Sequence, residues 1–308
     1  MMHHLFNLFE AIETAKPLFD LSTIDLVCSA RALAALLHFV HGNPTEFGFS
    51  TRLLNRTLFI DYFPPARPPR EEWDDRVYGR AFTAIASVPE AGIPKDARHV
   101  RWVQYPLGDL TCAVMIEADA WAPIENETIE PVEAAELNVP KFVQGVQLFK
   151  AGREIASDLL VDFVCTSHNW GPGYKIPGWY FGGAETVISG FYRRDDSWAK
   201  NYMVNSAYTL QRLKVERLHL TAPRWKMGLS VPKVVTLLRR LKECTAQSKH
   251  KAVVGFTKGD METLRMKIYE PEFDKEVLAD RRVPVRYWVE EKFLTMELER
   301  WFWWTTGG

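Results

Sequence analysis

The residues with the clearest capacity for chemistry are three carboxylates carried by two apolar segments of the chain. Glu117 and Asp119 stand two positions apart at the end of one segment, and Asp162 lies inside the run Leu159–Thr166. Residues two positions apart in a β-strand share one face, and Mg²⁺ and Mn²⁺ prefer carboxylate oxygens as ligands. The pattern predicts that Glu117, Asp119 and Asp162 open into one cleft and hold a divalent metal ion.

Each of these residues also has a less specific interpretation. A pair of acids at a strand end often faces only solvent, whereas a carboxylate inside an apolar run, such as Asp162, is costly to bury without a partner. His168 could serve as a base or a ligand, although a histidine in a loop commonly has neither role. Cys165 could be a nucleophile, but no histidine or asparagine partner is evident in the sequence, so a buried structural thiol is favoured.

Charge is distributed unevenly along a chain whose net charge is −1. Twelve lysine or arginine residues lie between Lys200 and Lys251 against two glutamates, whereas Glu117 to Asp162 holds ten acids and three bases. A cationic segment of this kind is typical of proteins that bind phosphates, and it also occurs on solvated helix surfaces. The residues that it offers to RNA are Lys214, Arg217, Arg224, Lys226, Arg239 and Arg240.

Length and composition set the class of protein. The 308 residues are 47% apolar, enough for the core of a single domain over 1–308, which we expect. No apolar stretch approaches the roughly 18 residues that a membrane span requires, and His3, His4 and Glu10 do not fit a secretory signal. Four scattered cysteines without a CxxC motif argue against zinc. We expect an intracellular protein, cytoplasmic or nuclear, with no membrane partner.

The first half of the chain contains the elements that would position Glu117 and Asp119. Ser29 can cap a helix that continues to Val40 with apolar residues at helical spacing. The other predictions are a helix over 5–16, paired strands over 47–62 with a turn near Asn55, an extended proline-rich loop over 63–69, and strands over 99–105 and 110–116. The last two strands form a hairpin that ends in the carboxylates.

The second half contains the strand of Asp162 and the cationic segment. Residues 122–140 are acidic, contain three prolines and predict a loop. Further predictions are strands over 142–150 and 158–165, a long loop over 171–183, helices over 208–218 and 232–247, strands over 252–256 and 264–269, and an aromatic-rich helix over about 285–304. This order of elements predicts an α+β fold with a mixed central sheet flanked by helices.

Ordered segments between residues 19 and 230, among them Tyr78-Gly-Arg-Ala-Phe82, resemble a group of fungal proteins often labelled geranylgeranyl pyrophosphate synthetase. Prenyl-diphosphate chemistry uses Asp-Asp-x-x-Asp clusters to hold magnesium diphosphate. In this chain the Asp-Asp pairs at 74–75 and 195–196 are completed by Tyr78 and Ala199. The residues therefore argue against that label.

The same segments are similar to the decapping exoribonuclease (DXO) family, whose fold is of the PD-(D/E)XK nuclease type. The resemblance implies metal-dependent action on an RNA 5′ end, with a glutamate after a Gly-x-x-Phe helix, Glu-x-Asp and Glu-x-Lys on successive strands, and a glutamine on a later helix. Glu117 and Asp119 match fully, and Asp162 is a shortened third acid. The remaining positions depart from the pattern, with Thr83 for the first glutamate, Val164 for the lysine and Thr221 for the glutamine.

These departures predict a damaged site. Loss of one acid leaves at most weak binding of Mg²⁺ or Mn²⁺, and a valine cannot stabilise transition-state charge, a defect worth about 100- to 1000-fold in rate. We therefore expect a pseudoenzyme that binds RNA, or a protein partner, through a former nuclease cleft. Two alternatives stay open: an active divalent-metal-dependent RNA 5′-end hydrolase with altered ligands, and an RNA- or tRNA-dependent transferase on the same scaffold.

Overall fold

A computed structural model gives the fold of the chain. It describes residues 12, 18–41, 47–63, 82–89, 99–122, 141–143, 146–148, 155–167, 176–183, 186–193, 209–217, 227–248, 251–258 and 264–269. The chain divides into two compact units, unit 1 with residues 1–71, 101–116 and 222–308, and unit 2 with residues 72–100 and 117–221. The labelled helices are α1 (Ala30–Val40), α2 (Ile176–Gly182) and α3 (Met227–Gln247).

Unit 1 is built on a mixed sheet of seven strands. Their spatial order is β13 (Leu264–Tyr269), β12 (Lys251–Lys258), β2 (Phe47–Leu54), β3 (Thr57–Phe63), β1 (Leu26–Ser29), β5 (Leu110–Ala118) and β4 (His99–Leu107). β1 runs parallel to β3 and β5, whereas the pairs β2–β3, β2–β12 and β12–β13 are antiparallel. Since Leu26, Val27 and Cys28 are all buried, β1 is an interior strand covered on both faces.

Two helices pack on this sheet. α1 begins at Ser29, whose Oγ accepts a hydrogen bond from the Ala32 backbone N–H at 3.2 Å, as the sequence predicts. α3 contacts α1 as well as β2 and β12. Under α3 the hydroxyls of Thr51 and Thr245 lie 2.8 Å apart and both are buried, so the polar groups at this contact satisfy each other.

Asp25 joins four elements of unit 1. Its Oδ2 accepts from the Thr111 backbone N–H at 3.1 Å, and its Oδ1 lies 3.4 Å from Arg56 and 3.5 Å from Lys242 of α3. Its own backbone N–H donates to the Thr111 carbonyl at 2.8 Å, and its carbonyl accepts from Leu58 at 2.9 Å. Burial by itself raises the pKa of Asp25, but the Thr111 hydrogen bond and the two cations outweigh it, so the pKa lies below 3.8.

Unit 2 contains a mixed sheet of four strands in the order β11 (Thr209–Arg217), β10 (Thr186–Arg193), β9 (Leu160–Ser167) and β6 (Ala120–Trp121). β9 is parallel to β10 and antiparallel to β6, and β11 is antiparallel to β10. β7 (Lys141–Val143) and β8 (Val146–Leu148) form a separate hairpin. The predicted α+β class with mixed sheets and flanking helices is confirmed, and 158–165 is the interior strand that its apolar run indicated.

The helix predicted over 208–218 is wrong, because β11 occupies residues 209–217. The segment Arg212-Leu-Lys-Val-Glu216 alternates polar and apolar residues with a period of two, which is the pattern of a strand with one buried face. The neighbouring strand β10 was missing from the prediction, and without it β11 had no partner to pair with.

Three other predictions need correction. Within the predicted strand over 142–150, the described residues belong to two short strands, β7 and β8, instead of one. The loop over 171–183 contains α2, whose glycines concealed a helix that buries Trp179 and Phe181 and ends before Gly183 at φ +66°. α3 begins at Met227, so Pro232 lies within the helix and not at its first position.

The paired strands over 47–62, the hairpin at Gly108-Asp109 and the strands over 252–256 and 264–269 are confirmed with slightly different ends. Asn55 at φ 51° and Gly108 at φ 64° supply the left-handed backbone of the two turns. The predicted segments 5–16, 63–69, 122–140 and 285–304 lie outside the described residues, apart from Ile12, Phe63 and Ala122. Within the described part of the chain, no helix is long and apolar enough to cross a membrane.

Asp25→Asn is predicted to destabilise the protein at neutral pH. The variant loses the charge that Arg56 and Lys242 compensate, at a cost on the order of 1 kcal/mol. Because the folded-state pKa of Asp25 is depressed, the contribution is present above the unfolded value of 3.8 and disappears as pH falls through the folded value. Urea unfolding at pH 7 and below pH 4 should show a stability difference that shrinks on acidification; a constant difference would contradict this role.

Candidate functional site

The site predicted from the sequence is organised by β9, which is covered on both faces. One face carries Val161 and Phe163, which pack with Phe82 in a buried cluster that Cys165 and Ile188 adjoin. The opposite face carries Asp162 and Val164 and is called here the Asp162 face. Val164 packs with Trp179 of α2 and Val187 of β10, and Ile176 adjoins them. Asp162 and Val164 are therefore neighbours beneath α2.

Asp162 has a specific partner inside unit 2. The Trp179 indole Nε1–H donates a hydrogen bond to its Oδ2. The carboxylate is partly buried, and a buried acid needs a donor of this kind to offset the loss of water. Trp179 was not singled out in the sequence, and the signal that could have found it is a large aromatic residue beside a glycine in the segment between β9 and β10.

Val164 stands where the resemblance implies a lysine, and its exposed fraction is 0%. Trp179 is 3% exposed and Val187 is 1% exposed, so the surroundings of this position are apolar and closed. Ser189, which pairs in register with Val164, is also buried, and its Oγ has no hydrogen-bond partner among the described residues. The packing around position 164 thus suits the valine that the chain has there.

Asp119 is brought to β9 by the turn between β5 and β6. Its Oδ2 accepts from the Phe163 backbone N–H at 2.8 Å, one residue after Asp162. β6 pairs with β9 at Ala120 and Trp121, so the Asp119 side chain continues the pairing beyond the first residue of β6. Glu117 and Asp119 are exposed on either side of the buried Ala118, as predicted for residues two positions apart on one face.

Thr83 lies in the helical residues 82–86, directly after Phe82. Phe82 is buried and meets Phe163 edge-on, with 5.6 Å between ring centroids, which fixes this helical turn against β9. The Thr83 carbonyl accepts from both the N–H and the Oγ of Ser87, at 3.0 and 2.7 Å. Phe82 thus packs the helical turn of Thr83 on the Phe163 face of β9, opposite the Asp162 face.

The remaining candidate site residues lie either beside the Phe163 face of β9 or outside the described residues. Cys165 is partly buried beside the Phe82 and Phe163 cluster, in agreement with a structural thiol. His168 and Thr221 lie outside the described residues, as do Arg224 and Lys226. The later helix that contacts the Asp162 face is α2, and it contains no glutamine.

The predicted RNA contacts are divided between the two units. Lys214 and Arg217 belong to β11 of unit 2, whereas Arg239 and Arg240 belong to α3 of unit 1. Arg239 forms an ion pair with Asp109, and Arg240 forms one with Glu243 at 2.9 Å. The ion pair with Arg239 lowers the pKa of Asp109, and the hydrogen bond with Glu243 raises the pKa of Arg240. Exposed pairs of this kind are weak and can exchange for a phosphate.

Two of the three predicted metal ligands, Asp119 and Asp162, accept hydrogen bonds from N–H groups of the fold. Among the described residues, no group of three or more histidines, cysteines, aspartates or glutamates is placed to hold a metal ion. Each of these hydrogen bonds occupies one carboxylate oxygen, and a two-metal site needs several free anionic oxygens. The donor set around β9 is suited to hydrogen bonds within the fold.

Comparisons with known proteins place the chain in a family and a fold. A family model described as a domain of unknown function (DUF8563) matches residues 2–288. No curated protein matches the sequence. Among solved structures, S. pombe Rai1 is 12% identical with a TM-score of 0.54, and the match covers 85% of this chain and 77% of that chain.

Two further solved structures, both of Rai1 from other yeasts, also resemble this fold. Scheffersomyces stipitis Rai1 in complex with (3'-NADP)+ and calcium ion is 12% identical with a TM-score of 0.54, covering 91% of this chain and 77% of that one. Candida albicans Rai1 in complex with pU5-Mn2+ is 8% identical with a TM-score of 0.52, and the match covers 94% of this chain and 80% of that chain. Such low identity shows the fold alone. It confirms the DXO-like, PD-(D/E)XK type of fold that the sequence predicted.

Val164→Lys is predicted to destabilise the protein by about 3 kcal/mol or more, because it buries an ammonium group against Trp179 and Val187, while the neighbouring Asp162 is already hydrogen-bonded to the Trp179 N–H. Ala156→Lys is the matched control, since it introduces the same group at an exposed position shortly before β9. Urea unfolding followed by circular dichroism should separate the two variants. Equal midpoints for Val164→Lys and the unaltered protein would show that the Asp162 face is open to a charge.

Trp179→Phe is predicted to reduce stability by about 1–3 kcal/mol, since Asp162 loses its donor while most of the aromatic packing remains. In an Asp162→Ala background the same change should cost less, because no carboxylate is left without a partner. A double-mutant cycle in urea measures this coupling. Identical losses in both backgrounds would show that the two side chains act independently.

Proposed function

The chain belongs to the family described as a domain of unknown function (DUF8563), and we propose that it is a catalytically degenerate, DXO-like protein that binds RNA. The observation that carries this proposal is the Asp162 face, where Val164 is fully buried and the Trp179 N–H donates to Asp162. On an active site of this kind, the same two positions would have to face substrate and metal.

The degenerate interpretation follows from what catalysis requires at β9. Phosphodiester hydrolysis needs a group that stabilises charge developing in the transition state. Valine cannot donate a hydrogen bond, and its closed apolar setting leaves no room for a neighbouring cation to replace it. An absent donor costs about 100- to 1000-fold in rate, and a metal site with too few free oxygens adds to that loss.

RNA is the ligand that the charge distribution supports. Some of the twelve basic residues between Lys200 and Lys251 lie on β11 in unit 2, and others lie on α3 in unit 1. The Candida albicans Rai1 structure with pU5-Mn2+ is a case of this fold with a short RNA ligand. We include Lys214, Arg217, Arg224, Lys226, Arg239 and Arg240 among the candidate contacts, and a cytoplasmic or nuclear location follows from the ligand.

One observation favours a second candidate, an active metal-dependent RNA 5′-end hydrolase. Glu117 and Asp119 are both exposed, at and just after the end of β5, and a carboxylate with one hydrogen-bonded oxygen keeps a second oxygen. In this alternative, Mg²⁺ or Mn²⁺ would bind to Glu117 and Asp119, with Asp162 released from Trp179.

The first test is binding. A fluorescein-labelled single-stranded RNA with a 5′ phosphate should bind the protein with an affinity that falls as salt is added, by a log–log slope of about 0.7 for each phosphate contacted. Fluorescence anisotropy across a salt series measures this slope. Absence of binding at low salt, or affinity that salt leaves unchanged, would refute the proposal.

The second test is turnover. With Mg²⁺ or Mn²⁺ the protein should release little nucleotide or cap from labelled RNA, and Asp119→Asn should leave that background unchanged. Product is measured by gel and by chromatography in parallel with binding. Rapid metal-dependent cleavage that Asp119→Asn abolishes would establish the hydrolase and exclude the pseudoenzyme.

A further inference from the structure

The registers of β9, β10 and β11 arrange the residues of unit 2 in cross-strand rows. Asp162, Val187 and Glu216 form one row, and Val164, Ser189 and Lys214 form the next. The third row consists of Thr166, Phe191 and Arg212. Residues directly paired across strands share a face, so Arg212, Lys214 and Glu216 stand on the Asp162 face of the sheet.

Arg217 belongs to the opposite face. It pairs with Thr186, which pairs with Val161, and the following rows join Val215 to Ile188 and Phe163. That face carries the buried Phe82, Val161 and Phe163 cluster. The alternation of β11 thus separates two cations that the sequence places only three positions apart, and it brings Arg212 together with Lys214.

We propose that Arg212 and Lys214 form the phosphate-binding row for single-stranded RNA in unit 2. The proposal rests on the proposed RNA-binding function and assigns its contact to one face of one strand. Lys214 restores a cation to the same row as Val164, two strands away, and β11 is the last strand of the described sheet on that side. The cation lost from the interior of the sheet is present at its margin.

The geometry of a strand suits this ligand. Alternate residues are about 6.6–6.8 Å apart along β11, a spacing comparable to that of successive phosphates in an extended nucleic acid strand. Asp162 and Glu216 share the row on the other side of Lys214, and their negative charge repels phosphates. The RNA backbone therefore runs from Lys214 toward Arg212 and away from the former catalytic acids.

The test compares two double variants that remove the same net charge, Arg212→Ala/Lys214→Ala and, as the control, Arg31→Ala/Arg56→Ala, whose side chains are exposed and are not among the candidate RNA contacts. Anisotropy titrations with fluorescein-labelled oligouridylate across a salt series report the number of phosphate contacts. The first variant should lose two contacts at about 0.7 each, lowering the log–log slope by about 1.4. The second should keep the slope of the unaltered protein. Circular dichroism and thermal midpoints establish that both variants are folded.

The outcomes separate this inference from the proposed function. If the unaltered protein does not bind the RNA at low salt, RNA binding itself fails. If it binds and the two double variants lose slope equally, or only the second does, then the assignment to Arg212 and Lys214 is overturned while RNA binding stands. Should the first double variant not fold, the single changes Arg212→Gln and Lys214→Gln replace it, each with an expected loss of about 0.7.

Discussion

Burial of β9 on both faces is the constraint on which the rest of unit 2 depends. Phe82 packs on one face and Trp179 on the other, so the buried side chains of residues 161–164 must either be apolar or have a partner within the fold. Val164 satisfies the first condition and Asp162 satisfies the second through the indole N–H. Val164 and Asp162 are thus both parts of the packed interior of unit 2.

This constraint explains how binding and chemistry can separate on one sheet. The chemistry of a nuclease requires charges near the interior strand, where desolvation makes each unpaired charge expensive. Phosphate binding needs only cations at a margin, where water still shares the cost. A sheet without interior charges avoids this desolvation cost, and cations at its margin can still attract a polyanion.

The sequence was informative wherever local pattern decides structure. The Ser29 cap, the turns at Asn55 and Gly108, and the alternation around Ala118 all depend on a few adjacent residues, and each prediction agrees with the structure. Prediction from the sequence failed where a partner distant in the chain determines the secondary structure of a segment. Residues 209–217 become a strand because β10 pairs with them, and α2 forms because Trp179 reaches Asp162 and Val164. The spacing of residues within α2 does not indicate that Trp179 contacts Asp162 and Val164.

The pairing of β2 with β12 has a consequence for synthesis on the ribosome. The Thr51 hydroxyl donates to the Ala252 carbonyl 201 positions later. Most of the chain must therefore be synthesised before β12, the second neighbour of β2, can pair with it. At elongation rates of roughly 5–20 residues per second, that delay is about 10 to 40 s. All of unit 2 emerges during this interval, because its segments end at Thr221. The inserted unit can thus mature first, while the N-terminal strands remain a nascent edge that chaperones would need to shield.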